Sequence, residues 1–320
     1  MNEQKTIQIF VFSFNRGELL ENCVESAIHC FGEKAEINIY DDHSDDESTK
    51  QILTKLSKMG VSILTPNQVS RDSKSQSRGG LYKNMRDVIN YYINCSKYKY
   101  TIFAQDDMQF VRHFLEDDID YLDEAFNLYP QMVFIYPVFY RGDSHSKLKK
   151  MTSSSKVSLY FRKKGSTFTG FSAVFLARTD RLLNRGWKMP DSEAAASKLA
   201  AKHNGPMGVH SFPFLAYMPA PKTYRNKKDT LTHKYWNKTK NGCFPINYLS
   251  SKSVKEMKNQ YPNKFPVAED FLVSPSFGSH PWPVYRMQHA PQWLRFLDRL
   301  EIKLYRLYNS FFNYFSKNER

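Results

Sequence analysis

Cysteine is scarce: the 320 residues contain four, Cys23, Cys30, Cys95 and Cys243. None stands in a CxxC or other metal-ligand spacing, which argues against a zinc ribbon and against a disulfide scaffold. Thiols scattered in this way are those of a reduced, cytosolic protein. Long apolar runs are missing as well, and no window offers the roughly 18 apolar residues that a membrane-spanning helix needs. The apolar stretch at 7–14 is short and runs into no small-residue cleavage site, so no secretory leader is expected. A glycine-rich phosphate loop is also lacking, because the segment after that stretch, Asn15-Arg16-Gly17-Glu18, has a single glycine. Acid is in deficit: 32 Asp and Glu stand against 46 Lys and Arg, a net charge of +14. That balance fits either a plain basic surface or attraction to an anion, whether nucleic acid, acidic lipid or a phosphorylated substrate.

What is present begins with a core. A hydrophobic content of 41% with 15% aromatics excludes global disorder and suits one large α/β domain with an appendage, or two modest ones. Two short apolar runs, Ile37-Asn38-Ile39-Tyr40 and Tyr100-Thr101-Ile102-Phe103-Ala104, lead into Asp41-Asp42 and, past Gln105, into Asp106-Asp107. Runs this short and rich in β-branched and aromatic residues are buried strands. Open α/β sheets bind their ligands at the carboxyl ends of the strands. The two pairs can therefore hold opposite ends of one nucleotide-linked substrate.

The flanking pattern alternates strand and helix. Strands are expected at 6–14, 36–40, 61–64 and 99–104, and helices at 18–30, 48–59 and 81–94, an order that implies a parallel sheet with right-handed crossovers. Further on come a helix at 115–128, strands at 132–138 and 168–177, and helices at 179–185 and 192–202. The polar segment 144–156 reads as a mobile loop, and 220–290 shows no usable periodicity. Near the end Trp293, Leu297, Leu300, Leu304, Leu307, Phe311 and Phe315 recur every three or four residues. They form an apolar stripe along one helix, with Arg295, Arg299, Lys303 and Arg306 largely off it.

The opening Val11-Phe12-Ser13-Phe14-Asn15-Arg16, with Tyr40-Asp41-Asp42-His43-Ser44-Asp45-Asp46 and Gln105-Asp106-Asp107, resembles family-2 glycosyltransferases of the GT-A fold. The resemblance is clear over about 6–110 and weaker at Thr169-Gly170-Phe171-Ser172 and Gly186-Trp187. It implies an α/β GT-A fold, Rossmann-like, with a mostly parallel sheet flanked by helices and a C-terminal amphipathic helix. Residues 1–275 would be the catalytic domain, with a nucleotide-sugar half at 1–110 and an acceptor half at 111–275. A linker at 276–290 and the helix at 291–320 would follow. It also implies transfer of a sugar, with inversion, from a nucleotide-sugar donor (a UDP-sugar) to a hydroxyl of a glycan or lipid-linked acceptor in surface polysaccharide synthesis.

Chemistry and resemblance agree on the candidate residues. By the resemblance, Asp107 would be the direct ligand of a Mn²⁺ or Mg²⁺ ion, with Asp106 beside it on the donor. Hard divalent cations take oxygen ligands and are held by one or two carboxylates plus substrate phosphates. Gln105 departs from the family, which carries an acid there, and the pair could instead be a solvated turn or a helix cap. Asp41 and Asp42 would accept hydrogen bonds from base or ribose, with Ser13, Asn15 and Arg16 lining the same pocket, while Asp45 or Asp46 caps the next helix. Arg78 and Lys83, around a helix start, could face phosphate. Asp191 and Glu193 are candidates for the base that takes the acceptor proton, and equally a plain acidic first turn of a helix. One of His203, His210, His233, His280 and His289 could add a metal ligand.

The terminal helix over 291–316 could lie on an anionic membrane surface, form a homodimer seam, or dock on the protein itself. The location expected is cytoplasmic, with peripheral association to the inner face of the cell membrane if the first holds. A sugar-phosphate nucleotidyltransferase is the rival enzyme, disfavoured by the missing glycine-rich loop. A basic nucleic-acid- or membrane-binding module is the rival without catalysis. Acid clusters at strand ends would repel nucleic-acid phosphates, so no nucleic-acid partner is expected.

Overall fold

The computed structural model describes residues 6–66, 80–94, 97–142, 148–152, 158–162, 170–185, 187–222, 230–260, 263–276, 278–279 and 290–318. Its first half is the alternation the hydrophobic pattern predicts: β1 (Ile7–Ser13), α1 (Gly17–Phe31), β2 (Ala35–Asp41), α2 (Glu47–Lys58), β3 (Ser62–Leu64), α3 (Leu81–Tyr91), β4 (Tyr100–Gln105). A short β5 (Met108–Phe110), α4 (Glu116–Leu128) and β6 (Phe134–Tyr136) follow, then β7 (Leu148–Thr152), β8 (Ser158–Arg162), β9 (Phe175–Arg178), α5 (Thr179–Asn184) and α6 (Glu193–His203). The chain continues through β10 (Gly208–Val209), β11 (Leu215–Tyr217), α7 (Leu231–Lys240), α8 (Ser251–Gln260), α9 (Ala268–Phe271), β12 (Val273–Ser274), β13 (Gly278–Ser279) and α10 (Gln292–Asn318).

One nine-stranded sheet organises these elements in the order β3-β2-β1-β4-β9-β6-β10-β8-β7. The strands β3, β2, β1 and β4 are mutually parallel, and beyond β4 the sheet is mixed, with β9 antiparallel to both β4 and β6. Every residue of β1 is buried, as a central strand covered on both faces requires. Gln8, a polar side chain inside this apolar run, donates to Thr101 Oγ1 at 2.7 Å. Register then aligns the strand ends, with Ser13 beside Asp41 and Phe12 beside Gln105. The acids that follow β2 and β4 therefore leave the same edge.

Two expectations need correction. Within 144–156, the residues Leu148–Thr152 form β7, paired antiparallel to β8 from Leu148↔Arg162 to Thr152↔Ser158. Its two lysines hid it, and lysine is what a strand at the sheet's edge carries to discourage further pairing. Part of 220–290 is regular too, containing α7 to α9 and the β12–β13 pair. These elements pack a small second cluster around Ile246, Met257 and Leu272. Among the described residues no helix is long and apolar enough to cross a membrane.

The turn from β5 into α4 hinges on a buried ion pair that leaves no mark in the periodicity. Arg112 is fully buried and meets both carboxylate oxygens of Asp118 at 2.8 Å. Its remaining donors reach the carbonyls of His113, Phe212 and Pro213, and Asp118 also accepts from the Leu115 N–H at the start of α4. Burial pushes the Asp118 carboxyl upward, but Arg112 outweighs it and holds the group below the usual carboxylate range. Nearby His210 is wholly buried, its ring 4.6 Å from that of Tyr121, and its Nδ1 accepts from the Phe212 N–H. Burial pushes its pKa down to about 3.

Asp118→Ala strands a buried guanidinium and should cost roughly 3–5 kcal/mol of stability. A shift in the urea midpoint corresponding to less than about 1 kcal/mol would contradict this account. Both groups also make the fold acid-sensitive. The unfolded His210 takes up a proton below about 6.5 while the folded one does so only near 3, so stability falls as pH drops through that interval. The depressed Asp118 adds to the loss at lower pH still. His210→Phe should flatten the decline between about pH 6.5 and 4.5, followed by chemical denaturation at several pH values.

Candidate active site

The common rim is built from three loops tied to one another. After β1 the chain turns at Asn15, which adopts φ 52°. Asparagine tolerates this left-handed conformation because its short polar side chain bonds locally. Here the Asn15 N–H donates to Ser44 Oγ at 2.9 Å, Nδ2 donates to Asp45 Oδ1 at 2.6 Å, and Oδ1 accepts from the Asp45 N–H at 2.9 Å. Asp41, buried at the end of β2, accepts from both the Ser44 N–H and its hydroxyl at 2.7 and 2.6 Å. Burial raises the Asp41 carboxyl pKa, with the Ser44 bonds opposing. Asp46 caps α2 by accepting from the Thr49 N–H at 2.9 Å. Asn15 and Asp41 thus shape the loop around the pocket, leaving Asp42 as the acid of the first pair that crosses to the next element. Its Oδ2 accepts from the Gly80 N–H at 2.8 Å, at the head of α3.

The second pair is deeper. Asp106 and Asp107 are 0% and 1% exposed, and the Arg16 side chain spans them. Arg16 Nη2 and Nε meet the two oxygens of Asp106 at 2.5 and 3.1 Å, and Nη1 meets Asp107 Oδ2 at 3.1 Å. Two buried carboxylates side by side demand a cation, and the Arg16 fork supplies it. Burial still raises the Asp106 pKa; Arg16 pulls it back, and the charge of Asp107 adds to the rise. The backbone is pinned from the other side, where the Met218 N–H donates to the Asp107 carbonyl at 3.0 Å.

Ser13 Oγ and Asp107 Oδ1 are buried at this rim, and neither has a hydrogen-bond partner among the described residues. An orphaned carboxylate oxygen beside a second acid suits a hard divalent cation, so the residues present fit such an ion. No group of three or more His, Cys, Asp or Glu forms a metal cluster among the described residues. The remaining ligands would then be phosphate oxygens and water, as such sites commonly have. Among the described residues no histidine completes a metal cluster with this pair: His210 is enclosed against Tyr121, and His233 is buried near the start of α7 with its backbone N–H on Thr230 Oγ1. His280 and His289 lie outside the described residues.

The two base candidates differ sharply. Asp191 has a side chain 92% exposed and accepts from Arg86 Nη2 at 2.5 Å. Glu193 is half-buried in the first turn of α6, behind the Ser192 cap, and its Oε1 accepts from the Ala173 N–H at 3.0 Å. Tyr82, in the first turn of α3, feels the Glu193 charge, which adds to burial in raising its pKa. Arg162 also senses Glu193, while its guanidinium lies 5.2 and 5.6 Å from the Tyr136 and Tyr140 ring centres and Nε donates to Tyr140 Oη. Glu193 thus sits within reach of the α3 start that also meets Asp42. Tyr82, Arg86 and Arg162 carried no signal along the chain, since only the fold brings α3, β8 and α6 together. Lys83 is half-buried in the same first turn, while Arg78, Thr169 and Gly186 lie outside the described residues.

A sheet whose parallel half gathers acids at the carboxyl ends of β2 and β4 has the architecture of the GT-A fold. The model of the family described as glycosyl transferase family 2 matches residues 8–187, more than half of the chain, and the chain belongs to that family. Among solved structures, S. aureus TarS 1-349 in complex with UDP-GlcNAc is similar at 14% identity and a TM-score of 0.48, covering 72% of this chain and 63% of that one. The mannosyltransferase PcManGT from Pyrobaculum calidifontis, in complex with GDP-Man and Mn²⁺, is similar at 14% identity and a TM-score of 0.40. That match covers 65% of this chain and 57% of PcManGT, so the chain spans under two thirds of either protein. Among curated proteins nothing matches the chain.

Because Arg16 and a divalent cation would compete for the charge of the same two carboxylates, removing the arginine should favour the cation. Arg16→Gln should lose roughly 2–3 kcal/mol of stability in the absence of metal, a figure reduced for the partial exposure of Arg16. It should also bind Mn²⁺ at least about tenfold more tightly than the wild type by titration calorimetry. Equal or weaker Mn²⁺ binding in the variant would rule out competition at these carboxylates.

Proposed function

We propose that the protein transfers a sugar, with inversion, from a nucleotide-sugar donor of the UDP class to a hydroxyl of a glycan or lipid-linked acceptor in surface polysaccharide synthesis. The observation that carries this reading is the register that brings Ser13, Asp41 and Gln105 to one sheet edge, so that Asp42 and Asp106-Asp107 open onto adjoining places. Family membership supports the same reaction class.

In this reading Asp42 accepts hydrogen bonds from the base or ribose, with Ser13 and the Asn15 turn forming the floor of the pocket. Lys83, in the first turn of α3, is assigned to the diphosphate; Arg78, assigned there from the sequence, lies outside the described residues. Asp107, with Asp106, would hold Mn²⁺ or Mg²⁺, and the cation when bound supplies positive charge against the leaving nucleoside diphosphate. Glu193 is the better of the two base candidates, since it is half-buried near Tyr82 and Arg162, whereas Asp191 is exposed and pairs with Arg86. The acceptor hydroxyl gives its proton to Glu193 as its oxygen bonds to the anomeric carbon, and the bond from that carbon to the diphosphate oxygen breaks. The catalytic domain is assigned to 1–275, and the location is cytoplasmic.

Thermal-shift measurements with nucleoside diphosphates, with and without Mn²⁺, test the donor class, because ligands that bind the native state raise the melting temperature. Uridine diphosphate should give the largest rise, and Asp42→Ala should abolish the preference among bases. Glu193→Gln should lower transfer by roughly 10²–10⁴-fold with uridine diphosphate binding retained. If Asp191→Asn instead removes activity and Glu193→Gln does not, the base is misassigned. No shift with any nucleoside diphosphate would end the transferase reading.

A further inference from the structure

The helix α10 has three distinct faces over its first four to five turns, and their chemistry differs. One face is docked: Leu294 is 4% exposed, Asp298 Oδ1 accepts from Thr230 Oγ1 at 2.5 Å, and Glu301 Oε2 accepts from the Thr232 N–H at 3.0 Å. Those contacts clamp α10 to the start of α7. A second face, about 100° wide at 100° per residue, carries Trp293, Phe296, Leu297, Leu300, Leu304 and Leu307. These side chains are 40–66% exposed. Along one border of that stripe run Arg299 and Lys303, both exposed.

The division of charge says what the stripe is for. Of the two acids between 292 and 308, Asp298 turns toward α7 and Glu301, on the border opposite Lys303, is tied to the Thr232 N–H, so the charges left open beside the stripe are those of Arg299 and Lys303. A second copy of this helix would bring the same cations and no unengaged acid to pair with them, a poor seam. The supporting helix α7 repeats the pattern: Leu231 and Tyr235 are 74% and 58% exposed, Lys234, Lys238 and Lys240 are exposed, and its sequence has no acid. A lipid surface with anionic headgroups accepts both components, taking the apolar stripe at the acyl boundary and the cations among the phosphates. With no helix fit to span a bilayer among the described residues, the contact is one of lying on the membrane.

We infer that α10 docks the protein flat on an anionic phospholipid surface through its Trp293–Leu307 stripe, with Arg299 and Lys303 on the headgroups. This inference is independent of the transferase reading. The net charge of +14 would draw the whole protein toward the same surface.

Co-sedimentation of the full chain with phosphatidylcholine vesicles, with and without about 30% phosphatidylglycerol, tests it directly, using an effect of salt as a control. The wild type should pellet with the anionic vesicles at least about tenfold more efficiently than with neutral ones. The double substitution Leu300→Glu with Leu304→Glu should lower that binding about tenfold or more, and Arg299→Glu with Lys303→Glu should erase the preference for anionic lipid. Both variants should keep the wild-type melting temperature, because the altered side chains are exposed. Unchanged vesicle binding in the leucine variant overturns the inference. A wild type that ignores vesicles but forms a dimer by light scattering, lost in the leucine variant, overturns it in favour of a seam.

Discussion

Two carboxylates buried side by side at the end of β4 are the costliest feature of this fold, and much around them follows from that cost. Asp106 and Asp107 have almost no solvent contact, so their charge must be met from within. Arg16 meets it, and Arg16 can do so only because the chain turns sharply at Asn15 immediately after β1. That turn is itself held by Ser44 and Asp45 in the loop after β2. The β1, β2 and β4 ends are therefore interlocked through polar side chains, in addition to their shared sheet register. A loss at any one loop should be felt at the other two, because the bonds share residues.

The same interlock divides the labour among acids that look alike in the chain. Asp41, Asp45 and Asp46 are engaged in shaping loops or capping a helix, while Asp42 reaches α3 and Asp107 keeps one oxygen without a partner. Gln105 stands where the resemblance leads one to expect an acid. Arg16 is the cation touching the pair among the described residues, and a further carboxylate at the half-buried position 105 would deepen the charge that Arg16 must neutralise. A substrate bringing its own cation would relieve that balance.

How far the sequence carried the argument depends on distance along the chain. Strands that end in acids are legible because burial and alternation are local signals, and β1, β2 and β4 fall within a residue or two of their expected bounds. The sheet's register then follows from a parallel βα order. What stayed hidden depends on side chains far apart: Arg112 with the carbonyls of Phe212 and Pro213, Glu193 near Tyr82, and Arg162 between two tyrosines. The edge strand β7 was concealed for a different reason, since lysines that protect an edge look like those of a loop. The contrast between Asp191 and Glu193, two residues apart, shows the limit well. Both lie at the start of one helix, and only the packing of α6 against the loop holding Ala173 turns one inward and leaves the other in water.

The end of the chain applies the logic of the acid pair in reverse. At the sheet rim, buried negative charge calls in Arg16; along α10, two acids take protein partners and leave the cations to face outward. An amphipathic stripe alone is compatible with a core contact, a dimer or a lipid surface, and the heptad-like spacing cannot separate them. The separation comes from where the acids go. A helix meant for self-pairing would leave Glu301 open to meet Lys303 of a second copy. Tying Asp298 and Glu301 to Thr230 and Thr232 instead fixes the helix to α7 and leaves Arg299 and Lys303 as the open charges beside the stripe, a surface suited to a partner that is itself anionic.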